Sequence, residues 1–348
     1  MSQMIKFPSI DDFKRISKHI QQRAQYVGKD ENGEVIVNRT AVAPTLTFHG
    51  TVKLHGTNAA VCFNQVDGLW CQSRERIISV GSDNAGFAAY VEVNKFEFLR
   101  VINQFSVDNQ LDLSTTTLCV YGEWCGGSIQ KGVALNQLPK MFVVFGIKLV
   151  TINESEESEG TWISHGTFYD ESINCYNIEQ FPTFDIDIDF NNPLLCQNKL
   201  IELTIKVEEE CPVGKHFGVS GIGEGIVFSH TLPDGSVYRF KSKGEKHTNP
   251  KVRTLTEVDD AKEQLKLDTA AKITPVWRID QAIQETFDTL NGGELDVTKI
   301  GAIIKWVNTD ILKEELITIQ ESGLTFKELS GAVSRLTKER FFEQYNAN

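Results

Sequence analysis

A change of periodicity partway along the chain limits its fold more than any other feature. From Thr45 to Phe240 the sequence runs in short apolar stretches and period-two alternations, with helix-like interludes at about residues 83–105 and 194–209. Side chains two apart share one face of a strand, whereas a helix repeats every 3.6 residues. Beyond about Thr256 the pattern is helical to the end. The chain therefore reads as α+β, with antiparallel sheets in residues 1–248 and an all-α region in residues 249–348.

Local signals fill in that plan. Ile10 to Tyr26 predicts an N-terminal helix, and Asp30-Glu31-Asn32-Gly33 a hairpin turn. In the tail, Thr274 and Pro275 suit the N-cap and first helical position of a helix running to about Leu290, before Gly292 and Gly293. A further helix is expected from about Val297 to Glu321, stopping at Gly323. Thr325 and Glu328 form a capping box for a last helix to about Tyr345. Together with a helix near Thr256, the tail amounts to four helices.

The segment Thr51-Val52-Lys53-Leu54-His55-Gly56-Thr57-Asn58 carries the chemistry. A lysine followed by Gly at +3 and Asn at +5 has the spacing of a nucleotide-accepting loop, in which an amine attacks an α-phosphate. An amine is a nucleophile only when unprotonated, which calls for desolvation or nearby positive charge. Gly56 lets the backbone pass close beneath a nucleotide, and Asn58 can donate to phosphate. Four more fragments follow in order: Arg74 in Gln72-Ser73-Arg74-Glu75; Glu123 in Tyr121-Gly122-Glu123-Trp124; Phe145 closing Met141 to Phe145; and Glu224 opening Glu224-Gly225-Ile226-Val227. Lys241 and Lys243 come last, and alternation puts both amines on one strand face. Taken singly, such a glutamate is a solvated strand end, such a phenylalanine is core, and such a lysine pair is the wet face of an edge strand. Their shared order gives them meaning.

This ordered set resembles the covalent nucleotidyltransferases, and most of all the bacteriophage RNA ligase 2 family. The hallmarks are His55 to Asn58, Gly122-Glu123 followed by Gly127 to Gln130, and Lys140 to Phe145. The resemblance implies a ligase-type adenylation domain followed by a small helical domain. Lys53 would become lysyl-AMP, with ATP as donor and Mg2+ or Mn2+ as helper. His55 and Asn58 would support phosphate or metal waters, Arg74 would contact ribose or the 5′-phosphate of the polynucleotide, and Glu123 would bind a ribose hydroxyl. Phe145 would stack on adenine, Glu224 would hold the metal through water, and Lys241 and Lys243 would grip the α-phosphate. Gln130 is a further candidate, and Val52 offers only its backbone to the base. The implied partner is RNA bearing 5′-phosphate and 3′-hydroxyl ends, in a duplex or at a nick, with no obligate protein partner. One position departs from the family: Ser229 stands where relatives carry lysine, and His230 would point to the opposite face.

DNA ligases and GTP-using capping enzymes continue into a β-barrel, and nothing after residue 250 alternates like a strand, so the tail favours an RNA ligase. Those two enzymes, and a non-catalytic RNA- or nucleotide-binding relative, are the other readings.

Charge and cysteine usage are compatible with this. The net charge of −12 runs against polynucleotide binding over the whole surface, but Arg239 to Arg253 carries Arg239, Lys241, Lys243, Lys246, Lys251 and Arg253 against Glu245 alone. The acid is concentrated in Glu154 to Glu159, Asp185 to Asp189 and Glu208 to Glu210. Seven cysteines form no Cys-x-x-Cys pair, so neither a zinc site nor a disulfide framework is expected. The N-terminus lacks a signal-peptide pattern and no stretch has the length of a membrane span, which points to the cytosol.

Overall fold

The computed structural model describes residues 3–31, 33–38, 41–152, 160–247, 255–289 and 293–347. It is α+β, with mostly antiparallel sheets followed by helices, and no strand occurs after Lys243 among the described residues. Lys251 and Arg253 of the basic stretch, the acidic segment Glu154 to Glu159, and Asn32 and Gly292 lie outside the described residues. Contacts divide the chain into one unit of residues 1–16, 46–188 and 199–255 and another of residues 17–45, 189–198 and 256–348.

The first unit contains two sheets. One has the strand order Asp11–Asp12, Val237–Lys243, Gly225–Thr231, Thr45–Lys53, Thr183–Asp189. Strand Thr183–Asp189 is its edge, with Ile186 and Ile188 buried and Asp185 and Asp187 outside, as the alternation predicts. The second sheet runs Thr161–Ile163, Met141–Thr151, Thr116–Cys125, Thr57–Asn64, Gly68–Ser73, Ile77–Ile78, and Cys175–Asn177 also pairs with Met141–Thr151. One face of this second sheet is covered by helices Phe87–Val93 and Lys95–Asp108, whose Phe87 and Phe98 pack with Trp124 and Phe142 in a single apolar core. On the other face, Cys62, Cys119 and Tyr121 form a smaller core against which Phe7, Phe145 and Trp162 pack half-buried.

Alternation from Phe142 and Val144 places Phe145 on that second face, and a bulge occurs at this point. Tyr121 pairs with Gly146 and Gly122 with Val144, so Phe145 has no partner opposite. The extra residue switches the alternation: Phe142 and Val144 face the helices before it, and Ile147 does so after it.

The helical unit has its own core, in which Ala270, Ile283, Val307, Leu329 and Phe341 are fully or almost fully buried. Its helices are Asp260–Ile273, Val276–Phe287, Ile300–Glu314, Leu316–Glu321 and Phe326–Ala347. Two boundaries within these helices differ from those expected. Pro275, not Thr274, is the N-cap, with extended backbone (φ −63, ψ 154), because Thr274 closes the preceding helix Asp260–Ile273 as its C-cap. The stretch 297–321 is also not one helix. It breaks at Glu315 (φ −113, ψ 12), whose carboxylate accepts from the buried Arg278 at 3.0 Å and from Thr318 at 2.9 Å. At the other end of the chain the first helix is Phe13–Gln25, since Asp11 and Asp12 pair with Phe240 and Lys241 instead. The hairpin is present, with Tyr26–Lys29 antiparallel to Val35–Val37. Six of the seven thiols are buried and all are free. Among the described residues no helix is long and apolar enough to cross a membrane.

Candidate active site

Three neighbouring strands bring the lysines together. Gly225 sits opposite Lys53 on one side and Lys243 on the other; two residues on, Val227 lies between Thr51 and Lys241; two further on, Ser229 lies between His49 and Arg239. With a side-chain period of two, these three rows share one face. The alternate positions Val52, Ile226, Phe228 and Phe240 are buried on the other. The polar face lines a cleft of ≈ 710 Å³.

Glycine at 225 is required by this packing. Its φ is +149, and a Cβ there would stand 2.1 Å from the Ser242 carbonyl oxygen. Any side chain would push apart the strands that carry Lys53 and Lys243.

Glu224, one residue earlier, gathers the cations. Its side chain is 3% exposed; Oε2 lies 2.6 Å from Lys53 Nζ and 3.3 Å from His55 Nδ1, and Oε1 lies 2.7 Å from Lys243 Nζ. Burial alone would raise its pKa, but hydrogen bonds and charge from His55, Lys53 and Lys243 outweigh burial and hold it well below the usual carboxylate range. Lys241 behaves differently. Its Nζ donates to the Ile10 carbonyl at 2.9 Å, and burial together with the charges of Lys243 and Lys53 lowers its pKa.

Glu123 enters from the other sheet, as Asn58 pairs with Glu123 and Thr57 with Trp124 across adjacent strands. Its Oε1 accepts from the Gly56 amide at 3.0 Å. Burial pushes its pKa up to about 7; Lys53 opposes the rise and Glu224 adds to it. Gly56 itself is wedged against strand Thr116–Cys125, where a Cβ would meet the Trp124 carbonyl oxygen at 2.4 Å. Gln130 does not line the cleft; its amide donates to the Gly56 carbonyl at 3.2 Å. Glu123 and Gln130 thus clamp Gly56 through its N–H and its C=O.

Of the other sequence-predicted residues, Asn58, Arg74 and Phe145 line the cleft. Arg74 is largely exposed beside Glu75, at 3.6 Å. Val52 borders the cleft but its side chain is buried, which leaves its backbone to face the opening. His55 and Glu224 lie behind the wall, joined to each other, and Glu224 is joined in turn to Lys53.

Several wall residues carried no recognised motif. The N-terminal segment from Phe7 to Asp12 lines one side, anchored where Gln72 bonds both the amide and the carbonyl of Ile5. His165, Glu179 and Arg239 line the end farthest along the strands from Lys53. Arg239 was legible in principle, because the alternation that pairs Lys241 with Lys243 extends back to it. Glu179 and His165 come from irregular segments and had no such signal.

A family model described as RNA ligase matches residues 46–243, more than half of the chain. No curated protein matches. Among solved structures, an RNA ligase of Naegleria gruberi is similar in several forms. A mutant with AMP and Mn is 16% identical over 71% of this chain and 58% of that one, with a TM-score of 0.43. The form with PPi is 17% identical over 71% and 60%, with a TM-score of 0.42. This chain therefore spans less than two thirds of the length of those proteins. The family match covers every strand that contributes to the cleft except the short Asp11–Asp12, and by it this chain belongs to the RNA ligase family.

Proposed function

We propose that the chain is an ATP-dependent RNA ligase of the bacteriophage RNA ligase 2 kind, in which residues 1–248 carry out nucleotidyl transfer and residues 249–348 help to dock RNA. The observation that supports this most is the row Lys53, Gly225, Lys243 with Glu224 beneath it, facing a cleft large enough for a nucleotide.

The chemistry proceeds in three transfers. The unprotonated Lys53 amine attacks the α-phosphorus of ATP, the bond to the β-phosphate oxygen breaks, and pyrophosphate leaves. A 5′-phosphate oxygen of RNA then attacks the same phosphorus and frees Lys53. Finally a 3′-hydroxyl attacks the RNA phosphate and AMP departs. Lys243 and Lys241 neutralise charge that grows on the α-phosphate. Glu224 holds and aims the amine, and Glu123 fixes Gly56 while offering its carboxyl to the ribose. Phe145, on the cleft face of its strand, stacks on adenine, and the Val52 backbone borders the base. Asn58 and His55 support phosphate, and Arg74 meets the ribose or the entering 5′-phosphate.

A divalent cation suits the residues present. Among the described residues no three His, Cys, Asp or Glu side chains group as a ligand cage, yet Mg2+ needs only one or two carboxylates, waters and the substrate's phosphates. Glu224 would hold it through water. Bound there, Mg2+ or Mn2+ would neutralise the triphosphate.

Sealing of nicked duplexes with RNA or DNA on each side of the break tests this reading. Joining that requires ATP, a divalent metal and RNA at the 3′-hydroxyl side is expected. Equal sealing of all-DNA nicks would favour a DNA ligase instead.

A further inference from the structure

The far end of the cleft holds a donor and an acceptor that the nucleotidyl-transfer steps leave unused. We infer that Arg239 and Glu179 together read the edge of the purine, and that this pair makes the cleft take adenine in preference to guanine. The inference rests on the nucleotide-binding reading of the cleft given above.

Arg239 lies two rows from Lys53, about 13 Å along its strand from Lys243 at roughly 3.3 Å per residue. That end is also the end of Phe145: the Phe7 ring is 5.2 Å from Phe145, and the Arg239 guanidinium is 5.4 Å from the same Phe7 ring. A base stacked on Phe145 with its phosphate at Lys53 therefore turns its outer edge toward Arg239.

The guanidinium is held by aromatic faces rather than by acid. It sits 4.1 Å from the centre of the Trp162 ring. Among the described residues its side chain has no carboxylate or hydrogen-bond partner. Burial lowers its pKa only to about 10, so it stays charged at neutral pH. A half-buried cation with unused donors in a cleft is poised for an acceptor supplied by a ligand.

Glu179 is the acceptor. A tight turn at Ile178–Gln180, capped by Asn177, fixes its backbone. Its Oε2 faces His49 Nε2 at 3.0 Å, and His49 Nδ1 lies 2.8 Å from Asp185. Arg239 and Glu179 do not pair with each other, yet both line the same wall and both act on the charge of the half-buried His165 there. The two thus border one space without closing it.

An arginine alone would not choose adenine, because guanine offers it O6 and N7, both acceptors. The carboxylate decides. Adenine presents an N6 amino donor beside a ring-nitrogen acceptor, which matches Glu179 beside Arg239. Guanine in the same pose puts O6 against the carboxylate.

The test is the rate of lysyl-nucleotide formation from labelled ATP and GTP on the full chain. The unmodified chain should prefer ATP by about a hundredfold or more. Glu179→Gln, whose amide can donate to O6, should narrow that ratio by about tenfold or more, chiefly through gained GTP use. Glu179→Ala, which removes the carboxylate, replaces it if the glutamine variant melts early. Arg239→Gln should raise the ATP concentration needed for half-maximal labelling about tenfold. An unchanged ATP-to-GTP ratio in the Glu179 variants, or an unchanged ATP requirement in Arg239→Gln, would overturn the inference. Failure of the unmodified chain to label with any nucleotide would instead overturn the reading of the site beneath it.

Discussion

Lys53 and Glu224 meet across adjacent antiparallel strands with Nζ 2.6 Å from Oε2, and the other oxygen of that carboxylate takes Lys243 at 2.7 Å. One buried anion therefore fixes two of the cations that a bound triphosphate would meet. Breaking a buried pair from one side leaves uncompensated charge, at a cost of about 3–5 kcal/mol.

The acid limb of stability follows from this. The pKa of Glu224 is depressed in the folded chain, so its contribution is complete above its ordinary value of 4.5 and is lost as pH falls below that. Denaturant melts of Glu224→Gln should show a flatter dependence than the unmodified chain between about pH 5 and pH 2. An identical slope would contradict the assignment.

Glu123 has the opposite sign. Its pKa is raised from 4.5 to about 7, so the folded state is penalised progressively as pH rises through that window. Glu123→Gln should gain stability relative to the unmodified chain at pH 8, by on the order of 2 kcal/mol, and show little gain at pH 4. Melts at the two pH values check this.

Gly225→Ala tests the three-strand row. The added methyl would collide with the Ser242 carbonyl in a backbone conformation that side chains rarely adopt, so a loss of about 2 kcal/mol or more is expected. The lysyl-nucleotide adduct should fall with it. A stable, fully active variant would mean that the register around Lys53 and Lys243 is not what aligns them.

Much of this site is written locally. Lys53, Gly56 and Asn58 share one short segment, and simple alternation puts Lys241 beside Lys243. Other parts depend on contacts between distant residues. The strand that carries Phe145 slips its register by one residue at that point, and nothing in Met141 to Phe145 announces a bulge. Phe7 to Ser9 carry no motif and Ile10 to Asp12 read as the start of a helix, and the bonds of Gln72 and Tyr121 to Ile5 help to tie this segment to the cleft. At the break, Glu315 accepts from Arg278, 37 residues earlier, a contact that helical periodicity cannot reveal. The change from strands to helices was legible because it depends on pattern alone.

Gln130→Ala separates positioning from stability. The lost bond to the Gly56 carbonyl should cost only about 1 kcal/mol. A loosened loop beside Lys53 should slow adduct formation about tenfold with little change in ATP affinity. Weakened ATP binding at an unchanged rate would show that Gln130 touches the nucleotide itself.

The central claim is that the amine of Lys53 bonds covalently to phosphorus. Incubation with ATP labelled at the α-phosphate, followed by denaturation, measures it directly. The expected result is label retained on the unfolded chain, released by acid as a phosphoramidate should be, and absent from Lys53→Ala. Label that washes away on denaturation, or that persists in Lys53→Ala, would contradict it.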